Sequence, residues 1–290
     1  MQVLQAEVRG FCFGVRRAIE LAEAALSDDK IVNTLGPLVH NPQEIARLAA
    51  AGILAVDTPD CVKTKTVVIR AHGARKDTID ALRQRKLHLV DATCPFVKKS
   101  QRIAQELEQQ GYTLVIVGHP DHPEVQGILG YVSTPAFVIT QAEDIATLPG
   151  DIHPGVIAQT TVNEKTFFDV IATLAKRFPE YTVHNTVCSA TRERQEAARK
   201  LAEQVAAIYV VGGRHSSNTN RLAEICRAVC PQTFLIETAE EIRSSQLAGI
   251  TSVGVTAGAS TPDWLIEQVV KRLQQIPTPC EDTSSENEKA

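Results

Sequence analysis

Three stretches of this 290-residue chain repeat one pattern, and that repeat limits the fold more than any other feature. EVRGFCFGVRRAIELAEAAL, LVDATCPFVKKSQRIAQELE and VHNTVCSATRERQEAARKLA each run from a short strand into a turn with Cys and then into a helix. The cysteines are Cys12, Cys94 and Cys188, spaced 82 and 94 residues apart, and a base stands four places after each: Arg16, Lys98 and Arg192. A second element recurs in the same order, as GPLVHNPQEIARL, GHPDHPEVQGIL and GGRHSSNTNRLAEI. Four residues beyond the first Gly of each (Gly36, Gly118, Gly212) stand His40, His122 and Ser216. A third element, VVIRAHGARKDTIDAL, VIAQTTVNEKTFFDVI and VGVTAGASTPDWLIEQV, holds His72, Thr160 with Thr161, and Ser260 in a looser register. Self-similarity at a steady spacing marks a structural unit used more than once.

Apolar runs such as TVVIR, TLVIVG, AAIYVVGG and TSVGVT alternate with helical stretches rich in Ala, Leu, Glu and Arg. Continuous apolar strands alternating with helices describe an α/β protein with buried parallel sheets. The expectation is three similar small parallel-sheet lobes, residues 1–93, 94–187 and 188–277, in pseudo-threefold arrangement, with a disordered polar tail over 278–290. Ligands of open parallel sheets bind at the carboxyl ends of strands, which is where all nine turns fall.

Charge and cysteine usage exclude several classes. Thirty basic against 34 acidic residues leave a net charge of −4, which argues against nucleic acid as partner. No apolar run approaches the ~20 residues of a membrane span. The opening MQVLQAEV lacks the basic segment of a signal peptide, so the expected location is cytoplasmic. Seven cysteines, an odd number with no C-x-x-C pair, fit a reducing compartment and exclude zinc-ribbon and thioredoxin-type sites.

If the lobes pack around a common axis, Cys12, Cys94 and Cys188 converge on one point. Three thiolates without a fourth suit a metal centre with an open position, and softness selects either zinc or an iron–sulfur cluster. Each Cys opens a helix, where the dipole favours the thiolate by roughly 0.3–1 kcal/mol at an exposed site. The base four places on adds to this only if it points inward. Cys226 and Cys230 read as helix-face residues, and Cys61 and Cys280 as incidental. His40, His72, His122, Ser216, Ser217, Asn218 and Ser260, with helix N-terminal amides, describe a phosphate or diphosphate cradle. Glu124 follows Pro123 and stands two residues from His122, placed to supply a proton beside the anion. Thr160 is placed to relay protons or orient a substrate.

GFCFGVRRAI, GPLVHN, RAHG, DATCP, GHPDHPEV, QTT, SSNTNRL and TAGAS, in this order, closely resemble the LytB/IspH family, over about residues 8 to 275. The resemblance implies a 4Fe–4S cluster held by three Cys, matching Cys12, Cys94 and Cys188, with one open iron that binds the substrate hydroxyl. It implies reductive dehydroxylation of 4-hydroxy-3-methylbut-2-enyl diphosphate to isopentenyl and dimethylallyl diphosphate, the last step of the methylerythritol phosphate route. The diphosphate falls to the positions His40, His72, His122, Ser216, Ser217, Asn218 and Ser260, and protons to Glu124 with Thr160 nearby. Electrons must come from an external donor such as ferredoxin or flavodoxin, because no dinucleotide fingerprint or flavin motif is present. Within the G-H-x-x-H-P-E stretch the variable pair is Pro120-Asp121, and Asp121 is expected to point away from the anion. Two competing classes are a cluster-bearing sensor and a zinc-dependent phosphoesterase. The first lacks a basic stripe or helix-turn-helix, and the second would be colourless.

Overall fold

The computed structural model of the chain describes residues 1–276. The expected tail over 278–290, with Cys280, lies outside the described residues. Twelve strands form three four-stranded sheets, every pair parallel. The first holds β2 (Val32–Leu35), β3 (Ile53–Val56), β4 (Thr66–Ile69) and β5 (His88–Asp91) in the order β3-β2-β4-β5. The second holds β6 (Thr113–Val117), β7 (Phe137–Ile139), β8 (Pro154–Ala158) and β9 (Thr182–Val183) in the order β7-β6-β8-β9. The third joins β10 (Ala207–Val211), β11 (Thr233–Ile236) and β12 (Ser252–Ala257) to β1 (Gln2–Gln5), in the order β11-β10-β12-β1. Central strands β4, β8 and β10 are buried along their whole length, as their apolar runs require, and so is β2, which carries Asn33 and Thr34.

The amino-terminal strand lies outside the first sheet. Residues 2–5 do not join the 1–93 lobe. They pair with Ser252 to Val255 of β12, as the outer strand of the third sheet. The physical reason lies in how the unit is built. Helix α1 (Phe13–Ala25) packs Val15, Ala18, Ile19 and Ala22 against Val32 and Val68 of the first lobe. Helix α4 (Pro95–Gln109) packs Ile103, Ala104 and Leu107 against Leu114 and Ile116 of the second. Helix α7 (Ser189–Ala202) packs Ala198, Leu201 and Ala202 against Ile208 and Val210 of the third. Each Cys-turn helix thus belongs to the lobe after it, and the strand before it (β1, β5 or β9) to the lobe before. The chain passes between lobes at Cys12, Cys94 and Cys188, so all three cysteines lie at lobe junctions.

The remaining helices are α2 (Pro42–Ala50), α3 (Lys76–Gln84), α5 (Pro123–Leu129), α6 (Glu164–Arg177), α8 (Ser217–Val229) and α9 (Asp263–Gln275). Polar side chains start several of them: Asn41 Oδ1 accepts the Glu44 N–H at 2.9 Å, and Ser216 Oγ accepts the Thr219 N–H at 3.3 Å. Cys226 and Cys230 are buried in the α7–α8 core of the third lobe, and Cys61 is exposed in a short turn.

Candidate active site

In the first two sheets the two central strands send their connections to opposite edges, and in the third β10 connects to β11 while β12 leads into α9; ligands of such sheets bind at the carboxyl ends of the central strands. His40 lies between β2 and α2, and His72 follows β4. His122 caps α5 after β6, and Thr160 follows β8. Ser216, Ser217 and Asn218 begin α8 after β10, and Ser260 follows β12. Cys12, Cys94 and Cys188 are the N-cap residues of α1, α4 and α7. All of these, together with Glu124, line one cavity where the three lobes meet. Ser260 Oγ donates to the His40 carbonyl at 3.3 Å, tying the third lobe to the first across it.

Three matching backbone bonds hold the cysteine turns. The N–H of Cys12 donates to Ala259 O at 3.1 Å, that of Cys94 to Ala71 O at 3.0 Å, and that of Cys188 to Thr160 O at 3.0 Å. These bonds settle the loose register of the third repeated element. Ala71, Thr160 and Ala259 are equivalent, so His72, Thr161 and Ser260 are too, and Thr161 also lines the cavity. A Cβ on Gly14 would lie 2.6 Å from Cys94 Sγ, so a side chain there would crowd that sulfur. Among the described residues, the one trio of candidate donors whose atoms all lie within 4.8 Å of one another is His40, His72 and His122. At least one pair of the three sulfurs therefore stands further apart than that.

Burial pushes the Cys94 and Cys188 thiols up, and the neighbouring cysteines add to the rise. Amides of Phe96 and Val97 oppose it at Cys94. At Cys188 the opposition comes from Thr191, whose Oγ1 lies 2.9 Å from the sulfur and whose N–H donates to it at 3.3 Å. The helix dipole expected to favour thiolates is outweighed, so a positive centre is needed to deprotonate them. The three repeated bases do not provide it. Arg16 faces Asp263 (3.7 Å), Lys98 faces Asp91 (2.5 Å) and Arg192 faces Glu164 (3.5 Å), with base side chains 53%, 46% and 58% exposed. They point outward.

The imidazoles of His40, His72 and His122 cluster with ring centroids 4.5, 5.5 and 6.0 Å apart. Burial lowers all three pKa values, His122 to about 4, and the buried Arg70 guanidinium lowers each further. The rings are therefore neutral at pH 7. His122 Nδ1 accepts the Glu124 N–H at 3.2 Å, which leaves its proton on Nε2. His40 Nε2, His72 Nδ1 and both amide atoms of Asn218 are buried with no hydrogen-bond partner among the described residues. Buried polar atoms are otherwise almost always paired, so this wall is built for a polar ligand. The donor spacing would suit a metal ion, but a cation there would face Arg70, so charge favours an anion. Arg70 belongs to the RAHG stretch and had no role in the sequence reading. Its guanidinium passes so close to Gly36 that a Cβ there would meet Nη1 at 2.5 Å, and Gly36 has φ +71°.

Glu124 is 1% exposed, and burial raises its pKa to about 7. Thr160 moderates the rise: its N–H donates to Oε1 at 2.6 Å and its Oγ1 to Oε2 at 2.7 Å. The carboxyl is near enough to Cys188 to raise that thiol as well. A side chain that both holds and releases a proton near neutral pH thus sits between the histidine wall and the sulfurs. Asp121 is exposed and does not line this cavity, but it lines an adjoining one together with His40, His122 and Ser217.

The profile of the LytB protein family matches residues 3–274. The chain is 45% identical over 276 residues to the 4-hydroxy-3-methylbut-2-enyl diphosphate reductase of Pelobacter propionicus, covering 95% of this chain and 99% of that one. To the enzyme of the same name from Aquifex aeolicus it is 43% identical over 280 residues, covering 95% and 97%. A solved (E)-4-hydroxy-3-methyl-but-2-enyl diphosphate reductase, described as the terminal enzyme of the non-mevalonate pathway, superposes with TM-score 0.71 at 43% identity, covering 95% and 100%. The E-1-hydroxy-2-methyl-but-2-enyl-4-diphosphate reductase from Plasmodium falciparum superposes with TM-score 0.89 at 25% identity, covering 95% and 89%.

Proposed function

This chain belongs to the LytB protein family, and on that premise we propose that it catalyses the reaction its relatives are named for. Two electrons and two protons reduce 4-hydroxy-3-methylbut-2-enyl diphosphate. The C–O bond breaks, the hydroxyl leaves as water, and isopentenyl and dimethylallyl diphosphate result. The observation that carries this reading is one cavity that combines three lobe-junction cysteines, three neutral histidines and a buried carboxyl of pKa about 7.

The proposed cofactor is a 4Fe–4S cluster on Cys12, Cys94 and Cys188, leaving one iron without a protein ligand. When bound, it supplies electrons and a Lewis-acidic iron. The residues fit. Three thiolates on one zinc, with bonds of about 2.3 Å, would lie about 3.8 Å apart, closer than at least one pair of these sulfurs stands. Their spacing favours a cluster over zinc, which softness alone did not decide.

The neutral imidazoles, the amide of Asn218 and the hydroxyls of Ser216, Ser217 and Ser260 receive the diphosphate. Arg70, behind the histidines, supplies a full positive charge to that end of the site. Binding energy from the diphosphate holds the hydroxyl arm toward the sulfurs. An alkoxide is a poor leaving group, so the proton on Glu124 is needed where the hydroxyl departs. Thr160 holds both carboxyl oxygens and sets the pKa of that proton. Electrons come from an external carrier such as ferredoxin or flavodoxin, in the cytoplasm. Among the described residues no helix is long and apolar enough to cross a membrane.

The role of Thr160 gives a pH prediction. Protonated Glu124 is present below pH 7 and is lost above it, so turnover falls as pH rises through about 7. The Thr160 hydroxyl stabilises the charged carboxylate, so Thr160→Val raises the pKa further. The basic limb of the turnover profile is then expected at higher pH than in the parent; a limb in place or moved downward would refute the assignment.

The decisive test of the function is an anaerobic absorption spectrum with iron and sulfide analysis, followed by turnover with a reduced dye. Brown protein with four irons that consumes the diphosphate confirms it. Colourless protein with zinc would support a phosphoesterase, and brown protein without turnover would support a sensor.

A further inference from the structure

The three lobes differ at one buried position beside the cysteines. Six residues after each N-cap Cys, on the inward face of its helix, stand Ala18, Ser100 and Arg194. The first two are fully buried and small. The fold therefore asks only for a small side chain here, and the third lobe places a guanidinium at 2% exposure instead. Arg194 Nη2 donates to Gly10 O at 2.7 Å, in the turn before Cys12, and Nη1 to Ala190 O at 3.0 Å, just after Cys188. It thus bridges two of the cysteine turns and lines the cavity.

Both hydrogen-bond acceptors are neutral, and Nε is buried with no partner among the described residues. The acidic groups acting on the guanidinium are the Cys12 and Cys188 thiols and then Glu193, which is exposed. Arginine keeps its proton in proteins, so the positive charge is permanent. A buried charge left without an opposite charge is strongly destabilising. The negative charge that would compensate Arg194 is that of the thiolates, once the site is filled.

We propose that Arg194 is the resident counter-cation of the three-cysteine site, a positioning residue that offsets the thiolate charge and makes the group they hold easier to reduce. The proposal rests on the cluster reading above. An electron added near a fixed positive charge is stabilised, so removing that charge disfavours the reduced state. The asymmetry is built in: the charge stands between Cys12 and Cys188, while the equivalent places on the other two helices are uncharged.

The test compares Arg194→Lys, which keeps the charge, with Arg194→Met, which keeps much of the volume without it, both purified anaerobically as full chains. Iron and sulfide content, far-UV circular dichroism and a spectroscopic redox titration are the readouts. A colourless parent would defeat the cluster reading itself, whatever the variants do. With a brown parent, the Lys variant is expected to match its iron content and midpoint. The Met variant is expected to keep the native dichroism. It should either lose iron or show at least a tenfold fall in the reduced-to-oxidised ratio at a set potential, about 59 mV for a one-electron couple. A Met variant with parental iron and midpoint overturns the proposal. So does equal loss in both variants, or a Met variant that unfolds, since each would mean that the hydrogen-bonded bridge matters rather than the charge.

Discussion

Cys94→Ser is expected to give a folded protein that is colourless, holds background iron and turns over substrate at background rate after anaerobic purification. The expectation separates the site from the fold because the two use different atoms of the same residue. The Cys94 turn is anchored by its main-chain N–H on Ala71 O and by helix α4 packed through Ile103, Ala104 and Leu107, neither of which involves the sulfur. A serine hydroxyl is a hard, protonated oxygen that does not replace a thiolate on iron. Cys12→Ser and Cys188→Ser should behave alike, since the three positions are structurally equivalent. Cys226→Ala is the internal control. Its sulfur is buried in the third-lobe core, and burial pushes its thiol up to about 12, so it is inert toward metals. That variant should stay brown and active. Full iron and normal turnover in Cys94→Ser would end the three-ligand assignment, as would a colourless Cys226→Ala.

Glu124→Gln is expected to keep its iron and bind the diphosphate while turnover falls by about 10²–10⁴-fold, the usual contribution of a positioned acid. Glutamine is the informative replacement because Thr160 accommodates it. The retained amide oxygen still accepts the Thr160 N–H, and the new NH₂ faces a hydroxyl that can turn and accept. The first turn of α5 and the His122 cap therefore survive, since that cap uses the backbone N–H of residue 124. What disappears is a transferable proton. Calorimetric binding of the diphosphate with single-turnover kinetics distinguishes the two effects, and near-normal turnover would remove Glu124 from the proton path.

Much of this site could be read in the sequence because a repeated unit advertises its equivalent turns. The Cys turns and the His40–His122–Ser216 set occupy matched positions, so their convergence follows once the lobes close. The third element was ambiguous for a physical reason: its register is set by main-chain bonds from the cysteine turns, which leave no mark on side-chain pattern. Thr161 was blurred with Thr160 on that account. Arg194 is inconspicuous inside TRERQ, where charged neighbours hide it. The helical period did hold the clue, because Thr191, Arg194, Ala198 and Leu201 form one buried stripe on α7. The repeated bases drew attention instead, and they face solvent. Arg70 leaves no mark in the pattern because it acts on the histidines by charge and does not line the cavity.

The pairing of β1 with β12 also bears on how the molecule is made. Residues 2–5 are made about 250 residues ahead of their partners, Ser252 to Val255. The entropy of closing so long a loop grows only slowly with length, but the pairing must wait until β12 has been made. The first two lobes have complete sheets of their own by then. Cys12 does not acquire its anchor on Ala259 until the last sheet has formed. On the reading proposed above, the cysteine site is completed late: a chain that stops short of β12 lacks the anchor of Cys12.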